Sequence, residues 1–74
     1  MCLIELKEGQ MGIIESINAG KQATKRLVDL GVTCGKEVKV INNLFSGPIQ
    51  IEVSGSALVL GHGVASKITV ITVK

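Results

Sequence analysis

Between Pro48 and Gly55 the chain reads Ile49-Gln50-Ile51-Glu52-Val53-Ser54. Apolar and polar residues alternate strictly there. A period of two places Ile49, Ile51 and Val53 on one face of a half-buried strand. Ser54-Gly55-Ser56 then turns the chain tightly into the apolar run 57–60, which predicts a β-hairpin. A lone hairpin is marginal in water and needs further strands over a shared core. The rest of the chain can supply them. Of its 74 residues, nine Val, nine Ile and four Thr are β-branched, a chemistry that suits pleated, half-buried surfaces. Nine glycines cut the remainder into pieces of strand length.

The first of these pieces, Leu3-Ile4-Glu5-Leu6, reads as a short packed segment before the turn at Lys7-Glu8-Gly9. Met11, Ile13, Ile14 and Ile17 mark a first strand over residues 11–17. A helix is predicted over 21–30, where Ala23, Leu27 and Leu30 fall on one stripe and Lys21, Gln22, Lys25, Arg26 and Asp29 on the other side. Gly31 suits the left-handed residue after the helix, with Val32 placed to contact Leu27 in a Schellman motif. Thr33-Cys34-Gly35-Lys36 reads as a type II turn with Gly35 at its positive-φ position. A strand is predicted over 37–44, with Asn42, Asn43, Ser46, Gly47 and Pro48 read as loop residues. Pro48 opens the hairpin's first strand, where a missing N–H matters least. Gly61-His62-Gly63 reads as a loop, 64–67 as one helical turn and 68–73 as the last strand. About five short strands and one helix after the first strand predict a mainly β domain spanning 1–74, a small SH3-like or OB-like barrel.

Composition removes several function classes. Eight Lys and Arg against six Asp and Glu give a net charge of +2, too mild and too dispersed for a nucleic-acid face. Phe45 is the only aromatic residue, so no stacking platform for single strands exists. No apolar run approaches the roughly 18 residues of a membrane span, and the chain does not open as a signal peptide. No GxxxxGK[ST] loop is present, and no nucleophile–base arrangement stands at suggestive spacing. The chain is therefore read as a non-enzyme. Cys2 and Cys34 lie far apart with no CxxC, which reads as two reduced thiols.

Several segments, in order, resemble the ferrous-iron transport protein A (FeoA-like) family. They are Leu3 and Leu6 with Gly9, Gly12-Ile13-Ile14 with Ile17, Arg26-Leu27-Val28-Asp29-Leu30-Gly31-Val32, and Gly35 with Val38 and Val40. Gly47-Pro48-Ile49-Gln50-Ile51-Glu52-Val53-Ser54-Gly55 follows, then Leu58 and Leu60 with Ala65, Ile68 and Val70. The resemblance implies an SH3-like β-barrel with the helix packed across it, and a small cytoplasmic protein assisting ferrous iron uptake. It implies as partner the cytoplasmic GTPase part of a membrane ferrous-iron permease (FeoB-like), with no nucleic acid and with membrane contact only through that partner. A similar fold is implied for the C-terminal domain of metal-dependent repressors. Two departures from the family pattern stand out: Cys34 where Pro is common, and the Gly61-His62-Gly63 loop where a basic residue is frequent.

Most matched residues are explained by folding, so function rests on exposed features. Leu44 and Phe45, large and apolar in a polar loop, are candidates for partner contact, set against a role capping the barrel end. Lys21, Lys25 and Arg26 are candidates for meeting an acidic surface, set against a solvated helix face. Cys2, Cys34 and His62 are the candidate ligands for Fe2+ or another divalent transition metal, set against reduced thiols and a free loop histidine. That direct metal-binding or metal-sensing role is the alternative function. A homo-oligomer through an exposed strand or patch is left open.

Overall fold

The computed structural model describes residues 1–44 and 47–73. A 3-10 turn, Leu3–Glu5, leads into β1 (Met11–Ile17), α1 (Gly20–Asp29), β2 (Glu37–Asn43), β3 (Ile49–Val53), β4 (Ser56–Leu60), α2 (His62–Ala65) and β5 (Ile68–Val73). The strands form one antiparallel five-stranded sheet in the order β4-β3-β2-β1-β5. β2, β3 and β4 are a meander, and β5 returns to the free side of β1. The inward residues of all five strands converge on one core, joined by Leu3, Leu6, Leu27, Val32 and Ala65. This is the mainly β barrel with a short helix after β1 that the strand pattern predicts.

Local chemistry sets the ends of the elements. α1 ends in a Schellman motif: the Val32 N–H donates to the Leu27 carbonyl at 2.8 Å and the Gly31 N–H to the Val28 carbonyl at 2.9 Å. Gly31 takes φ +91°, a left-handed angle that costs a side-chain-bearing residue about 1–2 kcal/mol. In the next turn the Lys36 N–H donates to the Thr33 carbonyl at 3.2 Å and Gly35 has φ +88°. The β3–β4 hairpin closes through Ser54 (φ +52°) and Gly55 (φ +81°), the two positive angles of a type I′ turn. Gly12 is required for space: a Cβ there would lie 3.1 Å from the Ile71 carbonyl oxygen and 3.3 Å from the Val70 Cβ.

Three expectations are corrected. Leu30, placed with Leu27 on the apolar stripe of the helix and so expected in the core, is 50% exposed. It is the C-cap of α1, and the chain leaves the helix there, so the buried Val32 occupies the place beside Leu27. Asn43, read as a loop residue, is the last residue of β2 and is buried. A register shift between Val40 and Asn42 reverses the inward phase of the strand, and the Asn43 amide donates to the Ile4 and Leu6 carbonyls at 2.9 and 2.7 Å. The helical turn expected over 64–67 begins earlier, at His62, so Gly61 caps it and the Gly61-His62-Gly63 loop is mostly helix.

The two outer strands of the sheet are treated differently. Along β5, Cys2 bridges Thr69, the Val70 N–H donates to the Met1 carbonyl at 2.7 Å, and the Met1 amino group donates to the Val70 carbonyl at 3.1 Å. No comparable segment lies along the outer side of β4 among the described residues.

Candidate interaction groove

α1 stands away from the open side of the hairpin and leaves a groove of about 450 Å³. Ala23, Leu27 and Leu30 of α1 form one wall. Val59 and Leu60 of β4 form the other, and Gly61 and Val64 close the end. Leu30 and Val59 are the exposed apolar residues of the two walls, at 50% and 65% exposure. Gln22 and Arg26 sit on the helix side, and no carboxylate lines the groove. Such a cleft, apolar within and cationic at its rim, suits an apolar segment that carries negative charge.

The helix cations do not act as one cluster. Lys21 and Lys25, four residues apart on one row, line a shallow depression with Ile17, Asn18, Gly20 and Thr24. Arg26 lies on the next row and faces the groove. Leu44 is 59% exposed and lines a smaller hollow with Asn42, Pro48, Gln50 and Val59. Val59 borders both hollows, so Leu44 extends the apolar surface of β4. Phe45 lies outside the described residues.

The candidate metal ligands stay on separate elements. Cys2 is half-buried beside β5, where its N–H donates to the Glu5 carboxylate at 2.7 Å. Cys34 is exposed in the turn before β2, and His62 is exposed at the start of α2. Among the described residues no group of three or more His, Cys, Asp and Glu side chains is placed to hold a metal ion.

Sequence reading missed the groove because its key residues look like core. Leu30 continues the helix stripe, and Val59 sits in an unbroken apolar run. The legible signal was that run itself, Ala57-Leu58-Val59-Leu60, which has no polar alternation for a water-facing side.

Comparison with known proteins agrees with the fold and the resemblance. A family model described as the FeoA domain matches residues 1–72. A protein of Methanocaldococcus jannaschii named "Putative Fe(2+) transport protein A" is 44% identical over 64 residues, 86% of this chain and 77% of that one. A crystal structure of an iron uptake regulatory protein (FeoA) superposes with a TM-score of 0.92 at 33% identity, covering 99% of this chain and 97% of that one. A manganese-dependent transcriptional repressor shares the fold alone, with a TM-score of 0.88 at 20% identity over 97% of this chain and 40% of its own. Among the described residues no helix is long and apolar enough to cross a membrane. The barrel, its helix end and its hairpin thus carry a signature shared along almost the whole sequence, and the chain belongs to the FeoA family of ferrous-iron transport accessory proteins.

Proposed function

We propose that this chain works in the cytoplasm as a protein-interaction module of ferrous iron uptake. It docks through the α1–β4–α2 groove on the cytoplasmic GTPase part of a membrane iron permease and adjusts its uptake or GTPase cycle. The observation that carries this reading is the groove itself: Leu30 and Val59, both exposed, line its two sides with Arg26 beside them, and no carboxylate is in the lining. Apolar walls supply most of the contact energy in such sites, and a rim cation selects the charge of the partner. Family membership in ferrous iron transport supports the choice of partner.

Leu30→Glu tests it. The position is half exposed, so the substitution leaves the core intact, yet it places a carboxylate inside the groove. Titrated against the soluble GTPase part of the permease, the variant should bind at least about tenfold more weakly, the size of a good interface contact. Its unfolding midpoint should stay close to that of the parent. No binding by the parent chain, with or without nucleotide, would refute the reading.

A further inference from the structure

β4 has a neighbour, β3, on one side only. In the hairpin, Val53 and Ser56 flank the two-residue turn and exchange both backbone bonds, after which hydrogen-bonded and non-hydrogen-bonded pairs alternate. Ser56, Leu58 and Leu60 therefore point their N–H and C=O groups at β3, while Ala57 and Val59 point theirs away. The far side of the sheet fixes the same phase independently. The Val40 N–H donates to the Gln10 carbonyl at 2.9 Å and its carbonyl accepts from the Gly9 N–H at 2.8 Å. Val40 thus faces β1, Lys39 faces β3, its partner Glu52 faces β2, and Ala57, opposite Glu52, faces outward.

Among the described residues no turn, loop or helix backbone bonds to these outward groups. Two donors and two acceptors stand bare along this edge, which meets the groove at Val59, with Leu27 and Leu30 of α1 across it. Proteins commonly blunt such edges with Lys, Pro or a bulge. Ser56–Leu60 contains no charged residue and no proline, and its register with β3 runs unbroken.

We propose that the groove takes its partner as an added β-strand. An extended segment lays its backbone along Ala57 and Val59 and turns alternate apolar side chains toward Leu27, Leu30 and Val64. The bare edge selects extended backbone, because a helix already satisfies its own N–H and C=O groups. Arg26, with no carboxylate in the lining, selects a segment that carries a carboxylate beside its apolar residues. The source of the segment, the cytoplasmic part of the permease, rests on the reading above; the mode of binding rests on the edge.

Two variants of the full chain and one measurement on the parent test this against the soluble GTPase part of the permease. Val59→Pro removes an outward N–H and keeps every bond to β3, a placement that proline tolerates on edge strands. Val59→Ala trims the side chain and keeps both backbone groups. Val59→Ala measures the loss of the side chain alone, and Val59→Pro should bind about tenfold more weakly than Val59→Ala. On the parent chain, amide exchange at both Ala57 and Val59 should slow at least about tenfold when the partner is added. Binding that leaves both amides unprotected, or that Val59→Pro weakens no more than Val59→Ala does, overturns strand addition while the permease reading stands. No binding by the parent overturns both. Protection that grows with the concentration of this chain alone assigns the edge to a second copy and overturns the proposal.

Discussion

Replacing Asn43 by alanine should destabilise the barrel severely, although the residue touches no part of the groove. Its side-chain amide donates to the Ile4 carbonyl at 2.9 Å and to the Leu6 carbonyl at 2.7 Å, the latter within the interior. These two bonds fasten the N-terminal segment, whose Leu3 and Leu6 are fully buried, to the end of β2. Each intramolecular bond contributes about 0.5–1.5 kcal/mol, and a buried carbonyl left without a partner costs about 1–3 kcal/mol. The loss should come to about 2–4 kcal/mol. Stability near 0.05–0.15 kcal/mol per residue gives this chain about 4–11 kcal/mol in all, so a large share would go. Urea denaturation should show a lower midpoint at unchanged slope, and thermal unfolding a fall of roughly 10–25 °C. Asn43→Asp keeps the shape and removes the donors, so an ionised carboxylate would face two carbonyl oxygens. Its folded pKa would lie above the unfolded value of about 3.9. The folded state then binds more protons than the unfolded one. The stability of the variant relative to the parent should fall as pH rises from about 4 through the folded pKa, and level off above it. A loss below about 0.5 kcal/mol for Asn43→Ala, or a pH difference of the opposite sign, would refute the role assigned to these bonds.

Other substitutions probe the backbone. Gly12→Ala should cost about 1–3 kcal/mol by urea denaturation, since its Cβ would press on the Ile71 carbonyl oxygen, a backbone atom held in the β1–β5 ladder. Cys34→Pro should raise stability by about 0.4–1 kcal/mol in the same assay, because the Thr33–Lys36 bond and Gly35 at φ +88° are those of a type II turn, whose second position takes the angle that proline fixes.

The strands at 11–17 and 68–73 were legible in the sequence to the residue, because their ends coincide with turn residues and a change of period. The close of α1 was equally legible, since Gly31-Val32 after an apolar stripe admits one hydrogen-bonding pattern. Asn43 was not. A bulge leaves no mark on composition, and two adjacent asparagines look like a loop until the register shift turns one of them inward. Leu30 was misread because helical spacing gives a direction around the axis and not the point at which the core stops. The groove was missed for a deeper reason, for the apolar run at 57–60 shows an unusual strand and not where it lies. Which strand lies at the edge of a sheet depends on pairing order, and β4 resembles an interior strand in everything except its place in that order.

The pairing of β1 with β5, from Met11 opposite Val73 to Ile17 opposite Ile68, also bears on synthesis. The ribosome makes β1 before every other strand and β5 after them, at about 5–20 residues per second. For roughly 1.5–6 seconds after β2 is complete, β1 can hold β2 on one flank and nothing on the other, and Ile68 and Val70 are absent from the interior. The β3–β4 hairpin, with its short turn, can form within microseconds of emerging. The arrival of β5 therefore times the closure of the barrel, and the nascent chain is most open to proteases and to aggregation in the interval before it.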